Sequence, residues 1–282
     1  MDRDFKGRGE GAWPMSENWI VEQSKRGVPD WRQSVELHHP ENSREWTDPE
    51  EHLLWLRTKW TSMDAVKVIP WERFVRPGMR ILDVGGGTGW LSALLSRHVA
   101  GGRIYCLDSS EFLLSRLLPV VARELGGDMT VIEPVTGLFT PILLEDDSID
   151  VVVACASLHH ADNLEEVLKE LHRVLKKGGW LIILNESYLS NLDYLGGLLR
   201  AMVKILLSTL LKRYRAVSPS VSSSGYLYDP TLGDRVYPFW YIRKALDRVG
   251  FRLDETVKTP FAHRKDIPDA GRKLTHFVCE RI

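Results

Sequence analysis

A carboxylate and four glycines fall within seven residues, Asp83-Val84-Gly85-Gly86-Gly87-Thr88-Gly89, between an apolar run ending at Val84 and the stretch Trp90-Leu91-Ser92-Ala93-Leu94-Leu95. That order reads as a strand breaking into a glycine loop that opens a helix. Glycines remove the Cβ atoms that would hold a ligand off the backbone, and a helix start offers N–H groups without intrahelical partners. A dinucleotide fold wants G-x-G-x-x-G, whose third glycine lets the helix pack closely on the strand. Counting from Gly85 and Gly87, that place is Trp90, so the spacing argues against a pyrophosphate. A second carboxylate, Asp108, follows the apolar run Ile104-Tyr105-Cys106-Leu107 and precedes Ser109. There it could accept from both hydroxyls of a ribose, or cap a helix starting near Ser110. His159 and His160 follow a third apolar run, Ile149 to Cys155. With an unperturbed pKa of about 6.5, an imidazole can take a proton at neutral pH, or it can hold a structural hydrogen bond. No second cluster of His, Cys or paired carboxylates accompanies them, so no metal site is read here.

Regular alternation positions these residues. Strands are expected at 80–84, 103–107, 129–133, 149–155 and 179–185, with helices at 88–98, 110–125 and 163–175. Alternating strands and helices imply a parallel sheet covered on both faces, and near-continuous apolar strands agree. Ligands of such sheets lie beyond the carboxyl ends of the strands, where Asp83, Asp108, Cys155 and Glu186 fall.

An acidic residue followed by glycines at 85, 87 and 89 resembles the first motif of the Rossmann-like (class I) S-adenosylmethionine-dependent methyltransferases. Further stretches are similar to that family in the same order: Asp146-Asp147-Ser148-Ile149-Asp150 entering a strand, Leu158-His159-His160 after it, Lys176-Lys177-Gly178-Gly179 before the next, and a late helix ending in Gly250-Phe251. The resemblance covers about residues 50 to 282. It implies a doubly wound, mostly parallel seven-stranded α/β sheet with helices on both faces, plus a helical cap insertion. It implies S-adenosylmethionine as cofactor, with Gly85, Gly86, Gly87 and Gly89 admitting its amino-acid end and Asp83 accepting from its ammonium. Asp108 and Ser109 would hold the ribose, Cys155 would lie alongside, and His159 or His160 would serve as the base. One position departs from the family: the acidic residue that often meets adenine after the third strand is replaced by Gly137-Leu138. Backbone, Thr136, Thr140 or Glu133 would then take that contact.

Residues 1–46 show little periodicity and read as an N-terminal extension carrying Trp13, Trp19, Trp31 and Trp46; the methyltransferase domain is assigned to 47–282. Asp48-Pro49-Glu50-Glu51 is a helix start with Asp48 as N-cap, and Trp55 or Trp60 on that helix would be a lid aromatic or plain core. A cap insertion is read at about 188–238. Its leucine-rich first part, 192–214, carries Arg200, Lys204, Lys212 and Arg213 and suits a cap over the site, a membrane surface or a lipid tail. Its second part, with Tyr226, Tyr228, Asp229, Asp234, Tyr237 and Trp240, suits an acceptor pocket for an apolar or aromatic small molecule.

Composition narrows the function. A net charge of −1 over 282 residues gives no general attraction to nucleic acid. The first residues have no apolar core of a secretory signal, and no stretch suits a transmembrane span. Cys106, Cys155 and Cys279 lack C-x-x-C spacing, which fits reduced thiols in the cytoplasm. The function expected is methyl transfer to an O or N atom of a small molecule. The alternatives are an RNA base methyltransferase, against which Ala156-Ser157-Leu158-His159 replaces the N-P-P-Y type motif, or a cofactor-binding protein that does not methylate.

Overall fold

The structure of the protein, a computed structural model, describes residues 17–25, 47–58, 66–161, 163–186, 191–210, 220–221, 227–229, 234–260 and 273–282. Trp13, Trp31, Trp46, Trp60, Lys212, Arg213 and Tyr226, singled out above, lie outside them. Among the described residues the main sheet has eight strands: β1 (Glu17–Asn18), β2 (Arg80–Val84), β3 (Arg103–Asp108), β4 (Ile132–Thr136), β5 (Ile149–Cys155), β6 (Leu175–Glu186), β10 (Phe251–Pro260) and β11 (Lys273–Arg281). Their spatial order is β1-β4-β3-β2-β5-β6-β11-β10, with β11 antiparallel to both neighbours and all other pairings parallel. The chain winds outward from β2 to β3 and β4, then returns to place β5 on the other side of β2. The crevice at that reversal lies at the carboxyl end of β2, where Asp83 and the glycines sit.

The seven strands expected from sequence become eight because the N-terminal segment adds one. Asn18 pairs with Thr136, the Trp19 backbone N–H donates to the Thr136 carbonyl at 2.7 Å, and the Trp19 side chain is buried. A two-residue strand carries no readable period, so only its tertiary partner reveals it. β4 itself starts three residues later than expected. Asp128 turns the chain first, its carboxylate accepting from the Thr130 N–H (2.9 Å) and hydroxyl (2.6 Å). Pro134 is tolerated inside β4 because β1 covers only Val135 and Thr136 on the outer side.

Alternate residues of the central strands feed opposite layers. Val152 and Ala154 join one core with Leu168, Leu171, Ile242 and Leu246, from the helices α6 (Leu164–Val174) and α8 (Phe239–Val249). Val151 and Val153 join the other with Leu53 and Leu56 of α2 (Pro49–Thr58), Phe74, and Leu91 and Leu95 of α4 (Trp90–Ser96). Asp48 caps α2 as expected, its Oδ1 accepting from the N–H groups of Glu50 (2.9 Å) and Glu51 (3.2 Å). The helix expected at 110–125 contains a π turn, Leu113–Leu117, before the α-helix Leu118–Glu124. Pro119 explains it: without an N–H the proline cannot bond back to Ser115, and the wider turn absorbs the mismatch.

Between β6 and α8 lie the helix α7 (Asn191–Leu210) and a small antiparallel sheet of β7 (Ser220–Val221), β8 (Leu227–Asp229) and β9 (Asp234–Val236). α7 runs straight through Gly196 and Gly197.

Candidate active site

At the end of β2 the backbone reverses through three left-handed glycines, Gly85 (φ +68°), Gly87 (φ +55°) and Gly89 (φ +69°). A side chain is excluded on most of this loop. A Cβ on Gly85 would stand 2.5 Å from the Ser157 Cβ, on Gly86 2.5 Å from the Cys106 Sγ, and on Gly89 2.6 Å from Leu118. Gly87 differs, because nothing lies within 4 Å of its Cβ position. The loop is therefore packed from behind and open at Gly87, which is the shape of a cradle. Replacing Gly87 by alanine meets only the left-handed backbone penalty of about 1–2 kcal/mol. Gly87→Ala is expected to keep the fold and to weaken S-adenosylmethionine binding at least about tenfold. Gly85→Ala, by contrast, should lower the melting temperature outright, since Ser157 has nowhere to go. Melting curves and calorimetry on the two variants check both expectations.

Two carboxylates floor the cradle. Asp83 is buried and accepts from the Ser92 hydroxyl at 2.7 Å; burial raises its pKa to about 7, the Ser92 hydrogen bonds oppose the rise, and the like charge of Asp108 adds to it. Asp108 reaches back to the loop. Its Oδ2 accepts from the Gly87 N–H at 2.9 Å and its Oδ1 from the Ser110 N–H at 2.8 Å, with Ser109 half-buried beside it. Burial pushes this acid up and the three backbone N–H groups of Ser110, Gly87 and Ser109 hold it down. Asp108 thus makes the cap-like contacts of the alternative reading while standing at the rim of the cradle.

Ser157 joins the cradle to the histidines. Its hydroxyl donates to the Val84 carbonyl at 2.7 Å, so the turn after β5 is pinned to the end of β2. The next residues form a 3-10 turn, Leu158–His160. Beneath it lies Glu186, fully buried at the end of β6, where the strand-end pattern places it, although its histidine partner was not legible in the sequence. Its Oε1 accepts from the N–H groups of Ser157 (3.0 Å) and Leu158 (2.8 Å), and its Oε2 meets His159 Nδ1 at 2.8 Å. A carboxylate can only accept, so Nδ1 carries the proton and Nε2 is left as the basic nitrogen of His159. The His159 side chain keeps 24% of its surface exposed. His160 packs against it with ring centroids 4.1 Å apart and is held through its carbonyl by Arg235 at 3.2 Å. Tyr237 donates to the Ala161 carbonyl at 3.0 Å, stacked on Tyr241. The segment from β9 to Tyr237 is thereby fastened to the histidine turn.

Glu186 is in turn positioned by its neighbour. Asn185 adopts a left-handed backbone (φ +56°), its N–H donates to His276 Nδ1 at 2.9 Å, and its side-chain amide donates to the Cys155 Sγ at 3.1 Å. The His276 Nε2–H then faces the Thr259 hydroxyl at 2.7 Å. Burial holds His276 down to about 4, so it stays neutral. Burial also drives the Cys155 thiol far above its usual range, which leaves it a packing group at the cradle's edge and no thiolate.

The adenine end shows what replaces the missing acid. Backbone donors there are already committed: Gly137 N–H to the Asp108 carbonyl (2.9 Å) and Leu138 N–H to Gln23 Oε1 (3.0 Å). Glu133 is excluded as well, since it pairs with Arg103 at 2.7 Å toward the opposite end of the strands. Of the two threonines, Thr136 has a buried hydroxyl with no hydrogen-bond partner. Phe139, which the sequence did not single out, comes within 3.4 Å of the Gly85 Cβ position. On the other side His52, buried on α2, meets the Thr88 hydroxyl at 3.0 Å and stacks on Trp55. Among the described residues no group of three or more His, Cys, Asp or Glu side chains could hold a metal ion. An open glycine, a buried acid in want of a cation and an orphaned threonine hydroxyl fit a nucleoside with a charged amino-acid tail.

Known proteins share parts of this sequence and its fold. Residues 82–183 match the family described as a methyltransferase domain. Over 127 residues the chain is 33% identical to a ubiquinone/menaquinone biosynthesis C-methyltransferase of Vibrio parahaemolyticus, covering 42% of this chain and 47% of that protein. It is 28% identical over 142 residues to sterol methyltransferase-like 3 of Botryococcus braunii, covering 49% and 36%. The chain thus spans less than half the length of these relatives. Solved S-adenosylmethionine-dependent methyltransferases from Methanosarcina mazei (TM-score 0.53, 19% identity, 76% of this chain and 98% of that one) and Mesorhizobium loti (TM-score 0.51, 18% identity, 79% and 97%) share the fold. Residues 82–183 thus match a methyltransferase domain, within a chain that has the fold of solved S-adenosylmethionine-dependent methyltransferases.

Proposed function

We propose that the protein transfers a methyl group from S-adenosylmethionine to a small apolar or aromatic acceptor, at an oxygen or nitrogen whose proton His159 removes. The observation that carries this reading is the buried Glu186 carboxylate, which fixes His159 with Nε2 as its basic nitrogen. The cofactor supplies an activated methyl group on a sulfonium, so the protein's share is to orient the acceptor and hold its proton. Gly85, Gly86, Gly87 and Gly89 would give the amino-acid end access to the backbone, with Asp83 meeting its ammonium. Asp108 and Ser109 would take the ribose and Thr136 the adenine. Cys155 would form the wall beneath, and His160 would back the His159 ring rather than exchange protons. Withdrawing the proton of a phenol or enol charges the neighbouring carbon as well as the oxygen. The same base therefore also suits carbon as the acceptor atom, and two relatives bear names of C-methyltransferases or sterol methyltransferases. Three free cysteines, of which Cys106 and Cys279 are buried, support a reducing, cytoplasmic setting.

The test is release of S-adenosylhomocysteine from S-adenosylmethionine in the presence of apolar phenols, hydroquinones and hydroxylated isoprenoids, with RNA as the contrasting substrate. Turnover is expected with hydroxyl-bearing apolar compounds. Turnover with RNA alone, or cofactor binding with no product from any acceptor, would overturn the reading.

A further inference from the structure

We propose that one face of α7 docks on an anionic lipid bilayer, lying in the plane of its surface. Leu192 (82% exposed), Leu195 (59%), Leu199 (63%), Met202 (57%) and Leu206 (59%) recur at spacings of three and four and form one stripe on the outside of the helix. Val203 and Leu207 are exposed beside it. Tyr194 and Ala201, on the opposite side, are buried against the rest of the protein. Single exposed apolar residues are ordinary, but a continuous stripe of this size marks a contact. No described helix is long and apolar enough to cross a membrane. Asp193, Arg200 and Lys204 interrupt this one, so it suits the interface and not the bilayer interior.

Charge selects the occupant. Between 191 and 215 the sequence carries five basic residues, Arg200, Lys204, Lys212, Arg213 and Arg215, against the single acid Asp193, while the entire chain is at −1. Positive charge is concentrated in the segment that bears the apolar stripe, which complements anionic headgroups. Arg200 is exposed and stands beside Leu207 at one edge of the apolar surface. A second copy of the chain would face those basic positions with their own equivalents across a twofold axis, a repulsive arrangement. The segment that follows α7 is fastened to the histidine turn through Arg235 and Tyr237. Docking would therefore hold the site against a store of apolar acceptors.

The test is flotation of the full chain with vesicles of phosphatidylcholine alone and of phosphatidylcholine with phosphatidylglycerol. Recovery with the anionic vesicles is expected, weakening as salt is raised. The double substitution Leu199→Glu with Leu206→Glu should reduce it at least about tenfold, and Arg200→Gln about fivefold, since each surface charge contributes about 1 kcal/mol. Circular dichroism and S-adenosylmethionine binding identify a folded variant. Absence of anionic-vesicle binding, undiminished binding by a folded double variant, or a solution dimer that the double substitution splits would overturn the proposal. No turnover is read, so failure here and failure of the methyl-transfer reading remain distinct.

Discussion

Asp83→Asn is expected to lower S-adenosylmethionine affinity by about a hundredfold and to erase its pH dependence, while making the unliganded protein more stable above neutral pH. Both effects come from one buried acid. Burial lifts Asp83 from 3.8 to about 7. A carboxyl raised in the folded state contributes stability that is complete below the unfolded value and disappears as pH climbs through the folded one. Across that window the loss amounts to about 4 kcal/mol, from roughly three units at about 1.4 kcal/mol each. A cationic ligand reverses the preference, because it stabilises the carboxylate. Binding the ammonium of the cofactor should thus release a proton below pH 7, with affinity rising toward that pH and levelling above it. Titration calorimetry in two buffers of different ionisation enthalpy measures the released proton directly. An asparagine has no proton to release and no charge to offer; losing a charged hydrogen bond in a buried site costs about 3 kcal/mol. Equal affinity in the variant, or a flat wild-type profile between pH 5 and 7, would remove Asp83 from the cofactor's ammonium.

How far the sequence reached depended on how local each signal was. β2, β3 and β5 could be read because central parallel strands are buried on both faces and so appear as unbroken apolar runs, as in Ile149 to Cys155. The cradle could be read because its four glycines fall within five residues and the left-handed turns at Gly85, Gly87 and Gly89 permit few other residues. β1 could not, since two residues show no period and owe their place to Thr136, far along the chain. Three long-range pairings escaped for a related reason. Glu186 reaches His159 across 27 residues, His52 reaches Thr88 across 36, and His276 supports Asn185 across 91. Each is an unremarkable polar residue in its own segment. Only the side-by-side placement of β5 and β6, with the left-handed corners at Ala156 and Asn185, turns Glu186 under the histidines. Similarly, the acid missing at Gly137-Leu138 was legible as an absence, while its replacement depended on Gln23 arriving from the N-terminal segment to occupy the Leu138 backbone.

The dependence of His159 on Glu186 gives the largest expected effect on rate. Glu186→Gln preserves shape and leaves an amide oxygen to accept from the Ser157 and Leu158 N–H groups, so the turn should survive. The amide nitrogen then faces His159 Nδ1 and donates to it. Nδ1 becomes the acceptor, the proton moves to Nε2, and the ring can no longer take a proton from an acceptor held on that side. A drop of about 10² to 10⁴ in kcat is expected, the usual contribution of a positioned base, with S-adenosylmethionine affinity within about twofold of wild type. His159→Gln should fall by a similar factor, and the double variant by little more, because the two residues act as one unit. A merely structural Glu186 would behave differently: its loss would lower melting temperature and cofactor affinity together and would add to the effect of His159→Gln. An acceptor supplied already ionised adds a second discrimination. A phenol acidic enough to lose its proton in solution needs no base, so its methylation should survive Glu186→Gln nearly intact while that of a weakly acidic phenol collapses. Equal losses for both acceptors would mean that His159 positions the acceptor and takes no proton.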